Sequence, residues 1–144
     1  MSNFIILTED IVHFMPIFGE AIVTTQEGKI SGSGKSSVEE NKVCRDGDEK
    51  DISIPNCTYM TKVYPLLGTG TLKIDSLEEN QKSKKMKDSG KPVLIKGRKF
   101  KAVFEVHNPA KAPPKGAAPP ELDQTKKYSG KGIFISSNIK WETK

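Results

Sequence analysis

The segment of this sequence that comes closest to a known chemical motif lies between residues 28 and 36. It is rich in glycine, lysine and serine, and it finishes with Gly34-Lys35-Ser36, as a phosphate-binding loop does. In such a loop four residues separate a first glycine from this ending, so that successive backbone N–H groups curl around a phosphate. That position is Lys29, and the glycine lies one residue earlier, at Gly28. The spacing therefore argues against a nucleotide site.

Four side chains could give nitrogen or sulfur to a metal ion: His13, Cys44, Cys57 and His107. A structural zinc site needs four ligands, but no two of these residues have a ligand spacing such as Cys-x-x-Cys. Two buried thiols and two surface imidazoles are the simpler interpretation. Cys57 follows the turn residues Ile54-Pro55 and is the strongest candidate ligand of the four.

Cys57 and His107 could also be paired as a nucleophile and its base. The sequence has no nucleophile elbow and no pair of carboxylates at a defined spacing to accompany them. We therefore predict that the protein is not an enzyme. Two cysteines do not make a disulfide framework, and they fit synthesis in a reducing cytoplasm.

The composition favours a thin β-rich fold over a thick helical core. Hydrophobic residues make up 35% of the 144 residues and aromatic residues 7%, alongside 12 glycines and 9 prolines. Segments that alternate or are β-branched, such as 51–54 and 100–106, are separated by turn signals such as Asp46-Gly47. The sequence predicts an all-β fold of many short strands.

The positive charge of the chain is concentrated in one segment. Lys and Arg number 23 against 18 Asp and Glu, a net charge of +5, and most of this excess lies between residues 78 and 101. The cationic residues of that segment are nearly all lysines, and its one aromatic residue is Phe100. Nucleic-acid binders interleave such charge with aromatics and Arg. A solvated face is the preferred interpretation. The alternative is a small basic module that uses Lys82–Lys101 to bind an anionic surface or nucleic acid.

Four parts of the chain differ in composition and in predicted secondary structure. Residues 1–18 have no basic leader and no apolar run of signal-peptide type, so we expect an extended N-terminal segment and no secretory signal. Residues 19–106 hold most of the predicted strands. A proline-rich linker follows at 107–120, and residues 121–144 predict a C-terminal β arm.

A short motif recurs within the β region. Gly32-Ser33-Gly34 returns as Gly68-Thr69-Gly70, and each copy is followed by small or β-branched residues and then by a glycine turn. The unit predicts a strand, a tight turn, a second strand and a second turn. Stacked hairpins of this kind bury one narrow core.

This repeat resembles the PAAR-repeat proteins. Gly32-Ser33-Gly34 followed by residues 41–48 is similar to their glycine-serine unit, which continues as Gly-Lys-Pro-x-x-x-x-Gly-Asp. Residues 68–74 followed by 90–97 resemble a later unit of the PAAR-like branch. The resemblance extends over residues 19–106.

The resemblance implies a small conical fold of stacked β-hairpins with an extended C-terminal arm. Such proteins cap a trimeric β-helical spike of the VgrG type in contractile injection systems, including type VI secretion, phage tails and tail-like particles, and sharpen it for membrane puncture. The implied partner is the trimeric spike, with this chain as a monomeric cap. Effector or baseplate proteins are further candidate partners, the target membrane is a transient one, and nucleic acid is not expected.

The resemblance also bears on location and metal content. It implies synthesis in the cytoplasm, assembly into a particle, and delivery outside the cell or into a target cell. Typical family members bind zinc or iron through His and Cys near the apex. This sequence lacks the His-rich turns, and only Cys57 falls near an expected ligand position, so we predict no cofactor and no firmly bound ion.

A cap on a three-fold spike needs three strand edges or apolar patches at its base. The candidates in the repeat region are Ile30, Leu72, Ile74, Val93, Leu94 and Ile95. The arm would bring Ile133, Phe134 and Trp141 to a second surface. The alternative is that all these residues form the core of an independent domain.

Overall fold

A computed structural model describes residues 2–38 and 40–136 of the chain. Within these residues the strands are β1 (Ser2–Ile5), β2 (Ile11–Phe14), β3 (Ile17–Phe18), β4 (Ala21–Val23), β5 (Gly28–Lys29), β6 (Ser37–Val38), β7 (Asn41–Lys42), β8 (Ser53–Met60), β9 (Gly68–Ser76), β10 (Lys82–Asp88), β11 (Lys91–Gly97), β12 (Phe100–Asn108) and β13 (Lys127–Ile135). Two 3-10 helices, Asp48–Asp51 and Glu79–Gln81, are the helical segments of this described part. None of its helices is long and apolar enough to span a membrane. The predicted all-β fold is confirmed.

The main sheet has eight strands in the order β3-β4-β8-β9-β12-β13-β2-β5. It curls because the chain bends between β2 and β3, at Met15-Pro16. Before the bend β2 pairs with β13, and after it β3 pairs with β4. The Met15 N–H donates to the carbonyl of Lys131 at 2.9 Å, and the Val23 N–H donates to the carbonyl of Pro16 at 2.9 Å. The bend therefore joins the two sides of the sheet into a barrel.

Aromatic side chains fill the interior of this barrel. Among the described residues, those that are fully buried are Phe14, Phe18, Tyr59, Phe100, Phe104 and Phe134. They come from inward positions of strands whose alternate residues face solvent. Gly130 and Gly132 in β13 make room for them, since a Cβ at Gly130 would lie 2.5 Å from the Phe18 ring and one at Gly132 would lie 2.4 Å from the Phe100 ring.

A smaller sheet, β1-β11-β10, adjoins the barrel. Its own apolar cluster contains Ile5, Leu7, Val43 and Val93. It attaches at the end of the barrel where β9 finishes and β12 begins, since residues 77–81 connect β9 to β10 and residues 98–99 connect β11 to β12. Lys101 pairs with Ser76 at this end. The connections between β8 and β9 and between β12 and β13 leave the barrel at its opposite end, where Asn108 pairs with Thr69.

The structure differs from the predicted organisation in three respects. The predicted C-terminal arm supplies β13, which lies between β12 and β2 and carries the buried Phe134, so its described part belongs to the core. The proline-rich linker is the connection within the β12–β13 hairpin. The two copies of the repeat also adopt different conformations, because Gly68–Gly70 opens β9 whereas Gly32–Gly34 lies in a loop.

Candidate functional site

One end of the barrel carries most of the exposed large hydrophobic side chains of the described residues. Six of the seven lie in the β3–β4 hairpin, the β8–β9 connection and the β12–β13 connection: Ile17, Ile22, Val63, Leu66, Leu67 and Leu122. We call this region the apolar end. Monomeric proteins rarely expose such clusters, and an exposed apolar patch is typical of a surface that binds a partner.

Part of this surface is a stripe across three strands. Ile17 is paired with Ile22, and Ile22 is opposite Met60 on the next strand. Directly opposite residues of antiparallel strands place their side chains on the same face. Ile17 is 59% exposed and Ile22 53% exposed, so this face is open to solvent in the isolated chain.

The β8–β9 and β12–β13 connections support each other by backbone pairing. Leu66 and Lys111 exchange two hydrogen bonds, with N–H to carbonyl distances of 3.0 and 2.9 Å, and Lys111 also bridges to Leu122. Further along, the Ala112 N–H donates to the carbonyl of Glu121 at 2.9 Å. The proline-rich segment is therefore a paired loop that positions the apolar residues, and it is not a free spacer.

A buried carboxylate fastens this loop to the barrel core. Asp123 accepts hydrogen bonds of 2.8 Å from the hydroxyls of both Tyr59 and Tyr128, and a 2.9 Å hydrogen bond from the Thr125 N–H. The Tyr59 hydroxyl in turn accepts from the Ala110 N–H at 2.9 Å. Both sides of the proline-rich loop are thus tied to one core tyrosine.

Around neutral pH the Asp123 carboxyl is ionised and the hydroxyls of Tyr59 and Tyr128 are neutral. Burial acts to raise the pKa of the Asp123 carboxyl, but hydrogen bonds from Thr125, Tyr128 and Tyr59 outweigh it and hold that pKa below its ordinary value. Burial is also the main cause that raises the pKa of Tyr59 and of Tyr128. The carboxylate is therefore the acceptor and the two neutral hydroxyls are its donors.

Carboxylates also brace a loop at the opposite end of the molecule. Asp88 accepts from the N–H groups of Lys35 and Ser36 at 3.0 and 2.7 Å, which lowers its pKa. Asp48 accepts from the N–H groups of Ser33 and Arg45 at 2.9 and 2.8 Å. In the segment that resembles a phosphate loop, these side chains thus bind the N–H groups that a phosphate would need.

The residues predicted to face a partner lie elsewhere than expected. Those buried in the chain's own cores are Ile30, Leu72, Ile74, Val93, Leu94, Ile95 and Phe134. Ile133 is half-buried, and Trp141 lies outside the described residues. Most of the buried side chains belong to the barrel core or to the cluster of the smaller sheet, and in the isolated chain the buried ones have no surface to offer. Four of the seven exposed large hydrophobic residues of the described chain lie in connections, where the signal was Leu66-Leu67 after Pro65, and the other three lie on outer faces of strands.

The candidate metal ligands do not assemble into a site. Cys57 is buried, its sulfur lies 3.6 Å from the carbonyl oxygen of Ile54, and burial raises the pKa of its thiol. His107 Nε2 lies 2.7 Å from the Thr71 hydroxyl. Among residues 2–38 and 40–136, no three His, Cys, Asp or Glu side chains are grouped so as to hold an ion. The residues therefore do not fit the apical metal of typical relatives, and the lack of a bound ion stays a prediction.

Comparison with known families agrees with the resemblance seen in the sequence. A family model described as contractile injection system spike tip protein matches residues 1–144. The chain belongs to this family of structural spike-tip proteins, which confirms the predicted class. A search of curated proteins found no match.

Proposed function

We propose that this protein caps the trimeric spike of a contractile injection system with its apolar end against the spike. The observation that carries the proposal is the gathering of exposed apolar side chains at one end of a chain that belongs to the spike-tip family. An apolar patch of this kind gains free energy when a partner removes it from water.

The rigidity of the apolar end supports the same role. Its two connections are paired with each other and tied to Tyr59 through Asp123. A surface that is ordered before it binds loses little conformational entropy on docking, which favours affinity. Three separate segments supply the apolar side chains, so a single chain could meet each of three identical spike subunits with a different segment.

The opposite end would then lead when the spike is driven forward. Its loop is braced by Asp48 and Asp88, and the barrel behind it is filled with aromatic rings. This construction supports a mechanical role in sharpening the spike and puncturing a membrane, with no catalytic step. The cap would be made in the cytoplasm and leave the cell as part of the particle.

The experiment is to measure the affinity of purified trimeric spike for the double variant Val63→Ser/Leu67→Ser. Burying one such side chain contributes about 1.5–3 kcal/mol, so the two together contribute at least about 3 kcal/mol and we expect the variant to bind at least roughly 100-fold more weakly. The matched control is Lys84→Ser/Lys87→Ser, two exposed residues in the smaller sheet, which should bind like the wild type.

Measuring the same binding at increasing ionic strength provides a second comparison. Binding through an apolar surface should survive high ionic strength, whereas binding through lysines should weaken steeply. The proposal is wrong if the lysine control loses affinity while Val63→Ser/Leu67→Ser retains it. Circular dichroism of both variants shows whether each is folded.

A further inference from the structure

A cleft lined by cations lies where β11 turns into β12, beside β13. Its volume is about 500 Å³, and its cationic side chains are Lys96, Arg98, Lys99 and Lys131. Glu78 is the one carboxylate in the lining. None of these four cations has an ion-pair partner within 4.0 Å among the described residues. A cleft with this balance of charge is suited to an anion.

Two lysines on the neighbouring strands β12 and β13 add to this excess of positive charge. Lys101 in β12 is directly opposite Lys131 in β13, and like charges in directly opposite positions destabilise a sheet. The same outer face shows the favourable alternative four residues further along β12, where Glu105 lies 2.7 Å from Lys73 and 3.7 Å from Lys127. Glu105 is ion-paired there, whereas Lys101 and Lys131 have no ion pair within 4.0 Å among the described residues, and the one carboxylate that shares a cleft with both is Asp75. Two facing lysines with one carboxylate nearby leave an excess of positive charge that an anion can balance.

Exposed aliphatic side chains continue this cationic face. Lys131, Ile133 and Ile135 are alternate residues of β13 and therefore lie on one side of the strand. Ile133 is half-buried, and Ile135 is the one exposed large hydrophobic residue of the described chain outside the apolar end. The adjacent rings of Phe100 and Phe134 are buried, so they cannot stack on nucleic-acid bases. Cations beside aliphatic side chains match the headgroup layer of a membrane.

We infer that this cationic face, made of Lys96, Arg98, Lys99, Lys101, Lys131 and Ile135, binds the phosphate headgroups of anionic lipids. The lysines and the arginine contact the phosphates, and Ile135 contacts the upper acyl chains. Lys101 and Lys131 line a neighbouring cleft with Ile17, so this side of the face borders the β3–β4 hairpin. Lys96, Arg98 and Lys99 lie where β11 turns into β12, at the end of β12 opposite the β8–β9 and β12–β13 connections, so they stay accessible when those connections are covered. The inference concerns the isolated chain and does not depend on spike binding.

The test measures binding of the full chain to vesicles of phosphatidylcholine with and without phosphatidylglycerol. Each lysine near an anionic surface contributes roughly fivefold in affinity, so Lys101→Gln/Lys131→Gln should bind the anionic vesicles about 25-fold more weakly. The matched control, Lys73→Gln/Lys127→Gln, removes the same charge from the same sheet face and should bind within about twofold of the wild type.

Three outcomes would overturn the inference. Equal loss in both double variants would mean that net charge alone attracts the protein to the vesicles. Binding of inorganic phosphate that is lost in Lys101→Gln/Lys131→Gln, with no preference of the wild type for the anionic vesicles, would identify a free anion as the ligand. Tighter binding to duplex DNA than to anionic vesicles, lost in Lys101→Gln/Lys131→Gln, would identify a nucleic-acid surface.

Folding and spike capping are checked on the same proteins. Lys101→Gln/Lys131→Gln should melt at the wild-type temperature or slightly above it, because it relieves the repulsion between the two lysines. It should also bind the spike like the wild type. A variant that caps the spike normally while vesicle binding shows no difference overturns the lipid inference and leaves the proposed function standing.

Discussion

The loops at the two ends of this molecule are ordered in the same way, by carboxylates that accept hydrogen bonds. The surfaces of the two ends differ, because one is apolar and the other is cationic. At the apolar end, Asp123 accepts hydrogen bonds from two tyrosines and a backbone N–H, which fixes the proline-rich loop. At the other end, Asp48 and Asp88 accept backbone N–H groups and fix the glycine-rich loop. We call each carboxylate with its hydrogen-bonded loop a frame. Outside these frames, one end exposes aliphatic side chains and the other exposes lysines.

The comparison shows how a chain with few apolar residues keeps long connections rigid. The aromatic core lies within the barrel and does not extend into the loops at either end. A buried carboxylate that accepts several hydrogen bonds can order a loop without apolar burial, since each bond to a charged group stabilises more than a neutral one. The surface of each end is then free to serve a partner.

The largest expected effect is the loss of cooperative folding when β13 is deleted, and it tests whether one barrel supports both ends. Deleting residues 109–144 removes β13, which lies between β12 and β2 and carries the buried Phe134. We expect the truncated chain to lose its cooperative thermal unfolding transition, because the barrel can no longer close. A truncated protein that still melts cooperatively would mean that the C-terminal part is a separate arm after all.

The next effect tests the frame of the apolar end. Tyr59→Phe removes an acceptor from the Ala110 N–H and a donor from Asp123, so the free energy of unfolding should fall by about 1–3 kcal/mol. Tyr128→Phe removes one donor from the same carboxylate and should cost less, about 1 kcal/mol. Urea denaturation measures both. The frame is misassigned if Tyr128→Phe proves the more destabilising of the two.

A smaller effect is expected in the acid dependence of stability, to which a carboxylate in each frame contributes. The pKa values of Asp88 and Asp123 lie below their ordinary values in the folded chain. As the pH falls below about 4, the unfolded chain takes up protons first, so stability is present above that pH and is lost as the pH falls through the folded pKa values.

Asp88→Asn and Asp123→Asn should each be less stable than the wild type at neutral pH and should each lose less stability on acidification. The denaturation midpoint of each variant is measured across this pH range, with the exposed Asp75→Asn as the control. A variant whose acid dependence equals that of the wild type would show that its carboxylate is not part of a frame.

The sequence predicted the class of fold because its strand signals are local. In β12, Phe104 is buried while its neighbours Val103 and Glu105 are partly exposed, and this alternation is visible in the sequence. The spacing of Gly28 and Gly34 argued against a phosphate loop, and in the structure Asp48 and Asp88 accept the N–H groups of that segment. Spike-tip identity followed from glycine motifs and their order, even though the two copies of the repeat adopt different conformations.

The candidate site could not be predicted in the same way. Asp123 and Tyr59 are 64 residues apart, and Asp88 and Ser36 are 52 residues apart, so neither contact leaves a local pattern. Strand periodicity also drew attention to inward apolar residues such as Leu72, whereas most of the exposed ones, such as Leu67, lie in connections without a period. Barrel closure, which depends on long-range pairing, decides which apolar residues remain at the surface.

The most direct test of the central claim is to find which end of the cap touches the spike. A photo-crosslinking amino acid is placed at position 67, in the apolar end, or at position 85, in the smaller sheet, and each protein is irradiated with the trimeric spike. Leu67 is 61% exposed, and Lys85 is exposed. We predict a covalent product with the spike from position 67 and none from position 85. A product from position 85 alone would contradict the account.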